Sequence, residues 1–326
     1  MVTGAAGSIG SELCRQIANF QIASLILLDQ DETGIFNISE ALKDKFPKIK
    51  KYSLVLDIRD KEKIESIFKE LRPQVVFHAA AYKHVPLMEE NPDEAVKNNV
   101  FGTKIVAEAS IKSGVEKFMF ISTDKAVNPT SVMGATKRLG EMICQALNQK
   151  NHTRFISVRF GNVLDSRGSV IPIFREKIKK RESIEITHPD MQRFFMITSE
   201  ACLLVLQAGA MGEGGEVFVL NMGNPLKIMH LAREMIRLSG LEADKDIPLV
   251  FTEPRPGERI FEELLTDKEN SSKTKHEKIF IAKLSEVDEN QLNLSLKKLE
   301  SNLYSLREAE IKDMLKEIIP NYRPKF

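Results

Sequence analysis

Along the first half of the chain, short apolar and β-branched runs alternate with longer stretches of helical period. That alternation predicts repeated strand–helix–strand units around a parallel sheet. The apolar runs predict strands over residues 24–28, 52–56, 74–77, 117–121 and 154–160. Apolar residues three and four apart predict helices over 12–19, 61–71, 92–113 and 133–149, with Gly114 as a helix stop. From about residue 165 the pattern loosens into Gly- and Pro-containing loops with shorter elements. A Rossmann-type, doubly wound α/β domain over 1–164 is therefore expected. A smaller lobe over 165–326 is expected to cover the carboxyl ends of its strands and bind substrate, with some chain crossing back. The polar tract 270–277 predicts a loop, and 289–319 an amphipathic helix without chemistry.

Composition removes several classes of function. The 326 residues carry 47 Lys and Arg against 46 Asp and Glu, a net charge of +1, so no nucleic-acid partner is expected from bulk charge. Cys14, Cys144 and Cys202 lie far apart in apolar helical patterns, which predicts buried free thiols, no metal site and a reducing, cytoplasmic setting. His78 and His188 show no metal-ligand spacing. No apolar run is long enough to cross a bilayer. The chain nevertheless enters its first glycines after only three residues. That predicts a trimmed chain, the cytosolic part of a membrane-attached protein whose preceding sequence carries further domains or membrane spans.

The first chemical signal is Gly4-x-x-Gly7-x-x-Gly10, set between strand and helix. Glycines there permit the turn, the approach of a pyrophosphate and the packing of helix on sheet, while backbone N–H groups at Ser8, Ile9 and Gly10 face the phosphates. Asp29 follows the second strand about 20 positions after Gly10, where a carboxylate accepts from adenosine ribose hydroxyls and repels a 2′-phosphate. NAD is thereby preferred to NADP. Asp57 and Ile58, after the third strand, flank an adenine, with a helix N-cap an equal reading of Asp57. Ala79, Ala80 and Ala81 let the backbone lie close to a cofactor, and they suit a packed core as well.

The fifth strand ends in Ser122-Thr123-Asp124-Lys125-Ala126, and Met133-Gly-Ala-Thr-Lys137 follows. With these motifs the chain resembles the extended short-chain dehydrogenases/reductases, and within them the UDP-N-acetylglucosamine 4,6-dehydratases of capsule and glycan biosynthesis. The resemblance runs over nearly the whole chain, through Ala79-Ala-Ala-Tyr-Lys-His-Val-Pro, Arg159-Phe-Gly-Asn-Val, Gln192-Arg-Phe-Phe-Met and Arg255-Pro-Gly-Glu. It departs at one place. Met133 stands where the superfamily has the tyrosine of Tyr-x-x-x-Lys, and a methionine has no proton to exchange. A subgroup of these dehydratases, mostly large membrane-attached forms, looks the same there.

The resemblance implies dehydration of UDP-N-acetylglucosamine to a 4-keto-6-deoxy sugar, with NAD as internal redox cofactor and retention at C5. It assigns Lys125 as the base at C5, Asp124 as the acid at C6, and Lys137 to the nicotinamide ribose. Asp124, or a water on Thr123, accepts the C4 hydroxyl proton. For Lys125 to be neutral its pKa must be lowered by desolvation or neighbouring cations. The bland alternative is that Asp124 and Lys125 are a solvated pair at a loop start. The resemblance also places Lys83 and His84 beside the sugar. It places Asn162, Arg167, Ser169, Val170, Arg193 and Arg255 around the diphosphate or uracil, and Glu258 on the uridine ribose. Asn99 is placed with the cofactor set, holding backbone geometry. It further implies a homo-oligomer. A C5-inverting dehydratase, a 4-epimerase and a non-catalytic NAD- and UDP-sugar-binding module are the competing readings.

Overall fold

A computed structural model describes residues 1–148, 152–264 and 271–324. Its centre is a nine-stranded sheet. Strands β1 (Val2–Thr3), β2 (Ser24–Asp29), β3 (Lys50–Val55), β4 (Val75–His78), β5 (Lys117–Ile121) and β6 (Arg154–Arg159) lie parallel in the order β3-β2-β1-β4-β5-β6. The order reverses beside β1, which opens a crevice at the carboxyl ends of β1 and β4. The fold is thus the expected Rossmann-type α/β arrangement.

Side-chain alternation assigns each strand to two cores. In β2, Leu25 and Leu27 join a cluster with helices α1 (Ser8–Ile17) and α2 (Glu32–Lys45). Ile26 and Leu28 face the opposite cluster, with helix α3 (Lys61–Leu71). Burial on both faces explains why these strands read as continuous apolar runs. Helix α2 had no counterpart among the sequence expectations. Asp31 caps it by accepting from the Gly34 N–H at 2.9 Å, and Ile35, Ile38 and Leu42 form its buried stripe.

The helix expected over 92–113 is interrupted. After α4 (Val85–Glu90), α5 (Pro92–Ala95) passes into a π-helical stretch, Val96–Gly102, before α6 (Thr103–Lys112) resumes. This wider turn buries Asn98 and Asn99 side by side, and π-turns of this kind recur at functional sites. Gly114 ends the segment in the left-handed region at φ +72°, as expected. Helix α7 (Val132–Asn148) follows β5, and the last residue of its expected span, Gln149, lies outside the described residues.

Beyond β7 (Asn162–Val163), helix α8 (Val170–Lys180) and β8 (Ile184–Ile186) begin a separate small core of Phe174, Ile178, Ile184 and Ile186. After β9 (Gln192–Arg193) and β10 (Phe195–Met196), α9 (Thr198–Met211) packs on α1, and β11 (Val217–Leu220) adds in parallel to β6. Strand β12 (Leu226–Lys227), α10 (Ile228–Leu238) and β13 (Leu249–Phe251) complete the small core. The tract expected as a loop instead contains strand β14 (Ser271–Lys273), antiparallel to β15 (Ile279–Ala282) at the sheet edge; Asn270 lies outside the described residues. The helix expected over 289–319 is two helices, α11 (Glu289–Asn302) and α12 (Glu308–Ile318), folded back on α7. The three cysteines are buried and free. Among the described residues there is no metal-type cluster and no helix long and apolar enough to cross a membrane.

Candidate active site

The glycine turn is shaped for a ligand. Gly4 sits at φ +69°, and a Cβ there would lie 2.6 Å from the Ala80 nitrogen. A Cβ on Gly10 would lie 1.9 Å from the Gly4 carbonyl oxygen, so α1 can pack this closely only through glycine. Gly7 precedes α1 in an extended conformation without a capping side chain, which leaves the first helical N–H groups turned toward the crevice. A cavity of about 730 Å³ runs from Gly4, Ser8, Ile9 and Gly10 past Ala79 and Ala81 to Thr123, Lys125, Met133 and Lys137. A side pocket of about 210 Å³ holds Asp29, Asp57, Ile58 and Ala80. These residues fit a dinucleotide.

Asp29 is held in one orientation, because its two oxygens accept from the Ala6 and Asp31 N–H groups at 2.9 and 3.0 Å. Of the two readings of Asp57, the helix cap falls away. Asp60 caps α3 instead, and Asp57 is paired with Arg59 at 2.7 Å. Asn99 is 1% exposed. Its amide bonds the Tyr82 backbone N–H at 2.8 Å and carbonyl at 2.9 Å, so it braces the 79–84 loop and does not contact the cavity directly. Arg167 lines both the glycine-turn cavity and its side pocket. Its guanidinium reaches Asp31 at 3.1 Å and its N–H reaches Ser8 Oγ at 3.1 Å. Its neighbours Ser166 and Gly168 line a further cleft that also reaches Lys125.

At the end of β5 the polar side chains are closely coupled. Thr123 donates to Asp124 Oδ1 at 2.9 Å, and Lys125 Nζ lies 3.0 Å from the same oxygen. The Asp124 side chain is fully buried and that of Lys125 is 18% exposed, which removes the solvated-pair alternative. Burial, reinforced by Glu262, holds Asp124 above the ordinary carboxyl range against the pull of Lys125. Lys125 departs from the lowered pKa expected of it. Burial acts to lower its pKa, but Asp124 and Glu262 outweigh burial, so the amine is held as an ammonium above its ordinary value. Lys137 behaves differently: burial brings it down to about 8 against the opposing charge of Glu141, with its Nζ 4.0 Å over the Phe120 ring. Met133 lines the same cavity and offers only apolar surface.

A second cleft of about 410 Å³ opens on Lys125 from the other side. It gathers the predicted Lys83, His84, Asn162, Ser169, Val170, Arg193, Arg255 and Glu258. Lys83 donates to the Arg167 carbonyl at 2.7 Å, and burial lowers the pKa of both Lys83 and His84. The Ser169 hydroxyl, at the start of α8, is buried without a partner. Sequence reasoning missed Glu262, which lies 3.5 Å from Lys125 and 3.6 Å from Arg193. It also missed Glu141, buried in α7 beneath the site, although its place one helical turn after Lys137 was a signal. His78 has the structural role expected of it, bonded to Thr3 and Thr103 and held neutral by burial.

Comparison with known proteins agrees with this architecture. The family described as "Polysaccharide biosynthesis protein" matches residues 1–284. The chain is 49% identical over 304 residues to the capsular polysaccharide biosynthesis protein CapD of Staphylococcus aureus, covering 93% of this chain and 51% of CapD. It is 52% identical over 289 residues to the probable polysaccharide biosynthesis protein EpsC of Bacillus subtilis, covering 88% and 48%. It thus spans about half the length of these relatives. A UDP-N-acetylglucosamine 4,6-dehydratase (inverting) of Campylobacter jejuni is 33% identical over 240 residues, covering 72% and 70%. The crystal structure of Pen from Bacillus thuringiensis superposes with a TM-score of 0.79 at 31% identity, covering 94% of this chain and 97% of Pen.

Proposed function

Because the chain belongs to the polysaccharide biosynthesis protein family, we propose that it is an NAD-dependent 4,6-dehydratase of UDP-N-acetylglucosamine, yielding the 4-keto-6-deoxy sugar with retention at C5. One observation carries the reading: a buried carboxyl–amine pair, Asp124 and Lys125, with Lys125 opening on both the dinucleotide cavity and the second cleft. A binding module has no need to bury such a pair at the junction of two ligand sites.

Gly4, Ser8, Gly10, Asp29 and Lys137 hold the dinucleotide, which when bound supplies the hydride acceptor and donor for an internal redox cycle. The protein's own groups handle the protons. Asp124, kept toward its carboxylic acid form by burial, donates to the departing C6 hydroxyl. It is therefore unsuited to accept the C4 hydroxyl proton, and a water on Thr123 takes that role. Lys125 takes the C5 proton and returns it. Arg193 and Arg255 bind the diphosphate in a geometry that a guanidinium fork suits. Glu258, whose Oε2 accepts from the Arg255 N–H at 3.2 Å, is steadied to meet the uridine ribose. Lys83 and His84 border the sugar. Retention at C5 follows from a single group, Lys125, taking and returning the proton on the same face of the sugar.

Met133 also favours a second reading, a module that binds NAD and UDP-sugar without turnover, since the side chain at this position has no proton to give. Proton NMR of UDP-N-acetylglucosamine incubated with the protein in deuterated water separates the readings. A new C6 methyl signal on a product of D-xylo configuration is expected. An inverted C5 would correct the stereochemistry, and an unchanged spectrum with NAD bound would favour the module.

A further inference from the structure

The pair at 124–125 has a third member that no motif marks. Glu262 is 3% exposed at its side chain, and its Oε1 lies 3.5 Å from Lys125 Nζ and 3.6 Å from Arg193 Nε. Arg259 supplies a further positive charge nearby. The other oxygen, Oε2, is buried without a partner, as is Asp124 Oδ2. One ammonium therefore sits between two carboxyl groups, each with an unused oxygen. The two are not equivalent. Glu262 shares the sugar-nucleotide cleft with Lys125 and stands beside two arginines, whereas Asp124 is sealed beneath it with Lys125 and Glu262 as its charged neighbours. Burial works against the Glu262 carboxylate, but Lys125, Arg193 and Arg259 outweigh it and keep Glu262 ionised at rest. It is the member of the trio with a vacancy for a proton.

A lysine takes a proton from carbon only after losing one of its own. We propose that Glu262 is the positioning residue that accepts this proton: an N–H bond of Lys125 breaks, an O–H bond forms on Glu262, and the freed amine faces C5 of the sugar. When Lys125 later returns its proton to C5, Glu262 gives back the one it holds, so each cycle closes without another reactant. Binding of the diphosphate drives the first transfer, because it engages Arg193, weakens that residue's hold on the Glu262 carboxylate and so raises its affinity for the proton. The resting ammonium at Lys125 and the C5 role given to that residue are then compatible. The assignment rests on the dehydratase reading above.

Glu262→Gln and Glu262→Asp test it with two readouts. The first needs no turnover: acetylation of Lys125 by acetic anhydride across pH, quantified by peptide mass spectrometry. Glu262→Gln is expected to let Lys125 react at least one pH unit lower than in the wild type, and Glu262→Asp to restore part of the difference. The second is dehydration kinetics, where Glu262→Gln is expected to lower kcat about 100-fold with KM within about threefold, the size of a lost proton-transfer partner. The low-pH limb of the kcat profile should shift with it, which a merely structural defect would not produce. Wild-type product formation combined with an unshifted labelling curve, or with an unaltered kcat profile in Glu262→Gln, overturns the role of Glu262 alone. No product from the wild type overturns the dehydratase reading and this proposal together.

Discussion

Replacing Glu141 by glutamine should destabilise the protein by several kcal/mol and do so in a pH-dependent way. Glu141 and Arg159 have side chains 0% and 1% exposed and meet in a two-point contact, Nε to Oε1 at 2.7 Å and Nη2 to Oε2 at 2.8 Å. Arg138 adds a third bond at 2.9 Å and the Ser122 hydroxyl a fourth at 2.6 Å. Burial pushes this carboxyl up, but the two arginines and the serine outweigh it and bring the pKa down from 4.5 to about 2. That drop corresponds to about 3 kcal/mol in favour of the ionised form. Breaking a buried pair by removing one partner costs about 3–5 kcal/mol, which agrees. At ~2.1 cal/mol/K of unfolding entropy per residue, such a loss lowers Tm by about 4–7 °C for a chain of 326 residues. A carboxyl whose pKa is depressed on folding contributes fully above the unfolded value and loses that contribution as pH falls from about 4.5 toward 2. The wild-type advantage over Glu141→Gln should therefore narrow by roughly 2 kcal/mol between pH 7 and pH 3. Urea unfolding of both proteins at the two pH values measures it. A gap below about 1 kcal/mol at pH 7, or one that does not narrow in acid, would refute the ion-pair account.

Three further outcomes are expected. Lys137→Met should stabilise the ligand-free protein at pH 7 by about 1–3 kcal/mol, because a buried amine whose pKa falls to about 8 is strained as an ammonium. The wild type, but not the variant, should gain stability as pH rises from 8 toward 10.5, while the variant binds NAD less tightly; urea unfolding and NAD titration check both halves. Gly10→Ala places a carbon against the Gly4 carbonyl and should weaken NAD binding at least tenfold by calorimetry; unchanged affinity would contradict the cradle. Met133→Tyr should leave turnover within about threefold, and a tenfold rise would show that the present proton path lacks a group that tyrosine supplies.

Much of the fold was legible because a parallel strand buried on both faces is written as an unbroken apolar run, and strands 24–28 and 117–121 of that kind were readable to within a residue. The break in 92–113 was not. Its apolar spacing is helical throughout, and the π-turn comes from what surrounds it. A Cβ on Gly102 would strike Ile58, and Asn99 is drawn to the backbone of Tyr82. The cap Asp31 and the stripe Ile35, Ile38 and Leu42 did mark α2 in the sequence, where they passed unread. At the site, the residues in motifs came together in two adjoining cavities, since a motif states residue type and local turn at once.

What the sequence determined by itself was therefore local: a glycine turn that admits a dinucleotide, an acid at the tip of the second strand, an acid and an amine at the end of the fifth, and a methionine with no proton to exchange. Its limit was charge. Lys125 rests as an ammonium through its neighbour Asp124 and through Glu262, which lies 137 positions away and meets it at 3.5 Å only because the 255–264 segment folds back over the cleft. That Arg167 lines the glycine-turn cavity is likewise set by Asp31 and Ser8 across the crevice. Electrostatic energy follows distance through space and the water excluded along it, and neither quantity is set by spacing along the chain.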